Sequence, residues 1–554
     1  MRKTLSVCMI VRDEEMDIGR CLESIADISD EIIVVDTGSI DKTKEIAKDF
    51  GAKIYEFQWV DDFSKARNYS IKKANCDWIL ILDGDDEFER QDANRLKELI
   101  NKKDAADVYI FNTICYTGDK GRPERILNVN IRLFKNNLGL RYQGRIHESL
   151  IAKNSDIKME AMDISIYHYG YLNANVKKHG KRKRNMRILN EQLKEEPDNP
   201  YFLFCMGNEY FALGLPNKAL EYFNASFEKC NETDIYVPKL LIRIIMVYQI
   251  ERNYEKAISY IDKTLLLYPQ YTDVEYIRGT IYHSQGILTK AIRSFRKCIE
   301  MGEPPAVLNF IMGVGSYKSY FALGCIYNQL EDYGEALGYF NQALLTKPDF
   351  YDAIYSIGEV LERTTKSEKE YKDKLLQFFD INSSNSYGMI ADIFYLQRKH
   401  NFALEFIEKS KTRGIYNEGL ELLEAQCYFY LQRYDEAIEV LRSFNNKSKY
   451  YNSSIIIHCL SLLFKNEHAK AMKIIKPLEY RKGYELKYRV LAYLISIFAG
   501  EDKGKPKEKV ELMANADRFI FELLDMMLGA KEFDKFEKTL VLLNSIKRDD
   551  VLLT

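Results

Sequence analysis

The sequence predicts two unlike parts: an α/β domain on a mostly parallel, doubly wound sheet, then an all-α array of helical repeats. Three observations carry this reading. Short apolar runs alternate with helical patterns from residue 1 to about 175. From about residue 200 the pattern is almost wholly helical and returns at a fixed period. The fourth apolar run, Trp78–Leu82, ends in a crowd of acids, D83-G-D-D-E87, at the end of a strand where open α/β sheets bind ligands.

Taken in order, Leu5–Val11 is apolar and β-rich and reads as the first strand. Met16–Ile28 has helical spacing, and Glu31–Val35 is the second strand. Thr43–Phe50 is helical and stops at Gly51, a C-cap residue. Lys53–Phe57 reads as a third strand, Ser64–Ala74 as a helix and Trp78–Leu82 as the fourth strand. Strands alternating with helices of this length are βαβ units. Tyr116–Arg125 and the segment before Gly144 read as loops. Residues 1–175 are thus one domain. Residues 176–199 follow as a basic linking helix, opened by V176-K-K-H-G-K-R-K-R-N-M-R187 with seven Lys or Arg in twelve positions. These cations are either a solvated helix face or partners for phosphates or an acidic acceptor.

In the second part, Gly207, Tyr210, Ala219 and Phe223 set a spacing of 3, 9 and 4 residues. It returns at Gly279/Tyr282/Ala291/Phe295, Gly324/Tyr327/Ala336/Phe340, Ala391/Phe394/Ala403/Ile407 and Ala425/Tyr428/Ala437/Leu441, and degenerately at Cys459/Leu462/Ala471/Ile475. Tyr248, Ala257 and Ile261 are a partial copy. Several copies lie 34 residues apart, and small residues let paired helices approach while aromatics fill the gap. The array runs over 200–484 with six to eight repeats, interrupted by an insertion near 302–315. Residues 485–554 lose the pattern and read as a helical cap over the last apolar face. This part resembles a tetratricopeptide solenoid.

A chain of 554 residues exceeds one core. Its 80 basic and 82 acidic residues nearly cancel, so no global field draws it to nucleic acid or anionic membrane. The ten cysteines show neither C-x-x-C nor paired His/Cys spacing, so neither a disulfide framework nor a zinc site is indicated, and reduced thiols in a cytoplasmic protein are the simplest account. No run approaches the ~20 apolar residues of a membrane span; Leu240–Tyr248 is broken by Arg243. The charges after the first apolar run argue against a signal peptide.

Asp83 and Asp85 lie two apart, so in extended geometry their carboxylates share a side. Hard oxygen donors suit Mg²⁺ or Mn²⁺, which share coordination with substrate phosphates. Asp36 closes the second strand where a carboxylate can accept from a nucleoside, whereas Ser39 and Asp41 are favoured helix caps. Asp61 and Asp62 either edge this region or are plain surface acids.

L5-S-V-C-M-I-V-R-D-E-E15, D36-T-G-S-I-D-K-T43, F63-S-K-A-R-N68 and W78-I-L-I-L-D-G-D85 resemble, in order and spacing, the family 2 glycosyltransferases of GT-A fold. The resemblance covers residues 4–175 and is closest to the bacterial branch with a tetratricopeptide tail. Asp13 stands where that branch usually has Asn, and Gly84 where Ala is commoner. The resemblance implies a UDP-sugar donor with Mn²⁺ or Mg²⁺ on its diphosphate and an inverting reaction. It places Val11, Arg12 and Asp36 at the uridine, Arg67 at the nucleotide or diphosphate, and Asp83 and Asp85 at metal and donor. In R141-Y-Q-G-R-I-H147-E148, Glu148 occupies the position of the second acid of an acidic pair and is the expected base; His147 replaces the first. His147 is left between acceptor contact, metal contact and support of a ligand. His168 matches a downstream metal-binding His, and a hydrogen-bonded structural His is the alternative for both His147 and His168. The Tyr116–Arg125 loop would then be a lid.

The expected partner is a protein or peptide acceptor held by the repeats. Two alternatives stay open: a glycan or cell-wall polymer acceptor with the repeats used for homo-oligomerisation, and a non-catalytic scaffold.

Overall fold

The computed structural model describes residues 2–118, 124–151, 157–172, 181–305, 307–379, 386–501 and 516–547. The chain forms two compact units, Met1–Phe350 and Tyr351–Thr554.

The first unit opens with β1 (Leu5–Val11), α1 (Ile18–Ile25), β2 (Glu31–Asp36), α2 (Thr43–Asp49), β3 (Lys53–Glu56), α3 (Phe63–Ile71) and β4 (Trp78–Ile81), in the order the sequence predicts. Then come β5 (Asp86–Phe88), α4 (Ala93–Asn101), β6 (Val108–Gly118), β7 (Glu124–Lys135), β8 (Arg141–Gln143), β9 (Ser149–Ile151) and β10 (Met159–Leu172). The main sheet runs β3-β2-β1-β4-β7-β6-β10-β5. Its first four strands are parallel, β7 runs antiparallel to both β4 and β6, and β10 is parallel to β6. The result is a GT-A-like mixed sheet. The period of two along β1 sends Leu5, Val7 and Met9 towards α1, where they pack with Ile18, Leu22 and Ile25. Cys8, with Ile33, Val35, Ile79 and Ile81, faces the other side against Tyr69 and Ile71 of α3. Both faces are covered, which is why these strands read as continuous apolar runs.

At the far end from the acid crowd, Glu31 ties three segments. It accepts from Ser6 Oγ at 2.6 Å, Lys53 Nζ at 2.7 Å, and the backbone and side-chain amides of Asn75 at 2.9 Å. Burial opposes its charge, but these donations outweigh burial and hold its carboxyl at about 2.

Tyr116–Arg125, expected as a loop, is strand up to Gly118 and again from Glu124. The cross-strand pairs Cys115↔Ile126 and Thr117↔Glu124 make it a long hairpin, so the strand pattern there outlasts the polar residues that suggested a loop. Its tip, 119–123, lies outside the described residues, as does 176–180 of the basic segment.

The helix Lys181–Glu195 leads into helix pairs Pro200–Ala212/Pro216–Lys229, Val237–Ile250/Tyr254–Leu267, Thr272–Ser284/Leu288–Met301 and Tyr317–Gln329/Tyr333–Thr346. The repeated glycines have a steric reason. A Cβ on Gly207 or Gly324 would come within 2.5 Å of the Phe223 or Phe340 ring, and one on Gly279 within 2.7 Å of Phe295. The insertion between the third and fourth pairs is pinned by buried Asp273, which accepts the backbone N–H of Phe310 at 2.8 Å and that of Ile311. Thr272 Oγ1 adds a bond to Gly302 O at 2.8 Å.

The second unit is helical throughout its described length, from Tyr351–Thr364 to Phe533–Lys547. Ala391, Ala403, Ala425 and Ala437 are fully buried at its repeat positions. Among the described residues no helix is long and apolar enough to cross a membrane.

Candidate functional site

The acids after β4 gather other residues around them. Asp83, Asp85, Asp86 and His168 each offer a ligand atom, and these atoms lie within 4.8 Å of one another. The turn after β4 delivers Asp83 and Asp85, Asp86 opens β5, and β10 delivers His168 by pairing it with Asp86 at the sheet edge. His168 Nδ1 lies 2.9 Å from Asp86 Oδ1 and 3.3 Å from Asp85 Oδ1. Burial disfavours a charged ring there, but the fields of Asp85, Asp86 and Asp83 outweigh it and lift the His168 pKa to about 9.

Two arginines flank the acids. Arg67, on α3, bridges Asp83 through Nη2 at 2.8 Å and Glu148 through Nε at 2.5 Å, with the Tyr142 ring 5.4 Å from its guanidinium carbon. Arg132, on β7, reaches Asp86 at 3.0 Å and Asp83 at 3.9 Å. Burial raises the proton affinity of Asp83, yet Arg67, Arg132 and His168 outweigh it and hold the carboxyl well below the usual range. Fully buried Asp86 also accepts the Asp83 N–H at 2.8 Å, so it braces the turn that carries the other two acids.

The donor chemistry fits a divalent ion: three carboxylates and one imidazole converge, with the Asp83 side chain 29% exposed. Gly170 makes room for them. A Cβ there would overlap Asp85 Oδ2 and sit 2.7 Å from His168 Nε2. Gly84 is similarly enclosed, since a Cβ would meet Glu14 Cγ at 3.1 Å and Val11 Cγ1 at 3.2 Å.

Of the residues singled out in the sequence, Arg67, Asp83, Asp85, Glu148 and His168 form one network, and the Val11 side chain packs close to Gly84, which lies between Asp83 and Asp85. Asp36 is buried and spends its carboxylate on its own turn, accepting from the amides of Gly38 and Ser39 at 3.0 Å. Ser39 and Asp41 knit that turn to the loop after β1, accepting from the amides of Asp13 and Glu15 at 3.0 and 3.2 Å. Arg12 is half exposed, 3.9 Å from Asp13. His147 stands exposed on a left-handed backbone, φ 52°, outside the acidic cluster. Asp61 pairs with Arg187 of the basic helix through two 2.6 Å bonds, and Asp62 caps α3.

Asp86, Arg132 and Gly170 were not anticipated. The alternation N128-V-N-I-R132 carried a signal for Arg132, since a strand with polar residues on one face aims them somewhere.

Residues 6–159 match the family model described as glycosyl transferase family 2, and residues 317–350 match tetratricopeptide repeat. Residues 365–444 match the model of anaphase-promoting complex, cyclosome, subunit 3. The chain is 29% identical over 292 residues to the SPbeta prophage-derived glycosyltransferase SunS of Bacillus subtilis, covering 50% of this chain and 66% of that protein. It is 35% identical over 211 residues to a TPR repeat-containing protein of Synechococcus elongatus, covering 37% of this chain and 51% of that protein. The chain thus spans between half and two thirds of the length of these curated relatives. Among solved structures, MamA aligns with TM-score 0.27 at 24% identity over 31% of this chain and 92% of that one. S. aureus TarS 1-349 aligns with TM-score 0.27 at 16% identity over 51% of this chain and 92% of that one.

Proposed function

We propose that this chain, a family 2 glycosyltransferase domain joined to tetratricopeptide repeats, transfers a sugar from a UDP-sugar to a protein or peptide acceptor, with inversion at the anomeric carbon. The observation that carries the reading is the convergence of Asp83, Asp85, Asp86 and His168 with Arg67 and Arg132 at the end of β4, all but His168 within the matched residues 6–159.

Asp83, Asp85 and His168 would hold a Mn²⁺ or Mg²⁺ ion. When bound, the ion supplies positive charge beside the departing diphosphate. Asp86 and Arg132 keep the ligand carboxylates aimed. Val11, Arg12 and Asp36 line the uridine side, Asp36 by fixing its own turn through the amides of Gly38 and Ser39.

The acceptor oxygen or sulfur attacks the anomeric carbon as the bond from that carbon to the phosphate oxygen breaks. The bonding pair leaves with UDP, whose growing charge Arg67 meets. The acceptor proton passes to Glu148. The short Arg67–Glu148 bond is the resting arrangement; diphosphate drawing on Arg67 leaves Glu148 a stronger base. His147 stands beside Glu148 on the exposed side, suited to contact the acceptor. Free thiols at all ten cysteines support a cytoplasmic setting.

The test is UDP release with Mn²⁺ over a panel of UDP-sugars, with and without protein extract from the host, followed by mass analysis of the extract. A sugar-sized mass on one protein supports the reading. Donor hydrolysis with only glycan or lipid labelled moves the acceptor, and undiminished transfer by Asp85→Ala removes the cluster from the mechanism.

A further inference from the structure

The helix Val237–Ile250 carries Lys239 and Arg243 four residues apart, stacked one turn on the next. Both are only partly exposed. Lys239 Nζ donates to Asn128 Oδ1 at 3.0 Å and Arg243 Nε to Asn208 Oδ1 at 3.1 Å. Among the described residues neither has a carboxylate at ion-pair distance. Neighbouring cations differ: Arg182 pairs with Glu209, Arg187 with Asp61, and Arg145 with Glu191 and Glu195. Burial and the nearby Arg243 charge push Lys239 down, and burial lowers Arg243 to about 10. Two uncompensated cations withdrawn from water leave a field that an anion relieves.

Arg243 is also held in one pose. Its guanidinium carbon lies 4.7 Å from the Phe211 ring centre and 4.8 Å from that of Phe310. Phe310 belongs to the insertion that breaks the repeat period, the same segment Asp273 grips by its amides. The insertion thereby stacks a ring on a guanidinium whose planar edge matches a carboxylate in two-pronged geometry.

The position relative to the reaction centre selects the ligand. Lys239 rests on Asn128, four residues before Arg132 on β7, and Arg132 pairs with Asp86. Four strand residues span about 13 Å. That span along β7 is the length of about four residues of extended peptide.

We propose that Lys239 and Arg243 form an anion subsite on the acceptor side, which takes an Asp or Glu side chain about four residues from the residue that receives the sugar. The position relative to the sugar-accepting residue rests on the transferase reading; the anion subsite itself is tested by binding.

The probes are two fluorescein-labelled peptides with a central Ser in a Gly/Ala host. One has Glu at the fourth position on either side, and its twin has Gln there. Anisotropy titrations use the full chain with Mn²⁺ and UDP at about 50 and 300 mM salt. The Glu peptide is expected to bind at least about tenfold tighter at low salt, with the advantage shrinking at high salt and lost in Lys239→Gln and Arg243→Gln. Equal affinity of the twins for the unaltered chain overturns the proposal without any variant, so a misfolded Arg243→Gln does not protect it. A Lys239→Gln chain that loses UDP affinity as steeply as peptide affinity also overturns it, giving the cations to the donor. A Glu preference that Lys239→Gln abolishes, in a chain that hydrolyses no UDP-sugar, keeps the subsite and refutes the transferase reading alone.

Discussion

Gly170→Ala isolates the acidic cluster from the rest of the fold. The added methyl carbon would overlap Asp85 Oδ2 and lie 2.7 and 2.9 Å from His168 Nε2 and Cε1. Ordinary contact begins near 3.4 Å, so the His168 ring must retreat by about 0.7 Å and Asp85 by more. The backbone at Gly170 is not left-handed, so alanine brings no conformational penalty there. Metal sites tolerate about 0.2 Å of ligand displacement. A shift several times larger predicts a 10- to 100-fold loss of Mn²⁺ affinity, about 1.4–2.8 kcal/mol. Overpacking adds about 1–3 kcal/mol of destabilisation. Mn²⁺ affinity is read from the free-ion electron paramagnetic resonance signal, and UDP release is measured at saturating Mn²⁺. The expected result is weaker Mn²⁺ binding with partial rescue of UDP release at high Mn²⁺. Wild-type Mn²⁺ affinity and turnover in a folded Gly170→Ala chain would refute the assignment of Asp85 and His168 to one metal.

Glu148→Gln is expected to lower kcat by about 10²–10⁴-fold with little change in the donor KM, measured by UDP release in the presence of acceptor. A change confined to KM would make Glu148 a positioning partner of Arg67. Glu31 governs acid stability: its folded pKa of about 2 lies below the ordinary 4.5, so its contribution is complete above about pH 4.5 and is lost as pH falls towards 2. Urea midpoints measured from pH 6 to pH 3 should therefore fall more in the unaltered chain than in Glu31→Gln, which starts lower. Gly324→Ala should be destabilising by about 1–3 kcal/mol despite alanine's better helix propensity, because the methyl meets the Phe340 ring, whereas Gly338→Ala, with open space around it, should be neutral or stabilising. Thermal unfolding of the two variants decides it.

Of the first four strands, β1, β2 and β4 were legible because each is buried on both faces and bounded by turn residues, so composition alone marks them, whereas β3 is a short edge strand with Lys53 and Glu56 exposed. The repeats were legible because Gly207, Gly279 and Gly324 each admit a ring from the partner helix, a contact that tolerates little else. The strands from β6 to β10 were harder: they alternate polar and apolar residues, and Asn128, Asn130 and Arg132 resemble a loop until the sheet supplies a face for them. Asp86 looked like one more acid in a row. Only its pairing with His168, 82 residues away, separates its bracing role from the ligand roles proposed for its neighbours. Gly170 stands two residues from His168 on the same strand, but the tightest of the contacts that need its missing Cβ comes from Asp85, in the distant turn after β4.

The pairing of β5 with β10 also has a consequence for how the protein is made. Residue 86 emerges from a ribosome 82 residues ahead of the strand that closes over it. At about 5–20 residues per second, the acids after β4 wait roughly 4–16 s for His168. Meanwhile the β5 edge is open and three carboxylates crowd together, with Arg67 already made and Arg132 arriving partway through. A nascent chain stalled before residue 168 therefore carries a nearly complete sheet with its acidic end uncovered, and free divalent ions or a chaperone meet that end first.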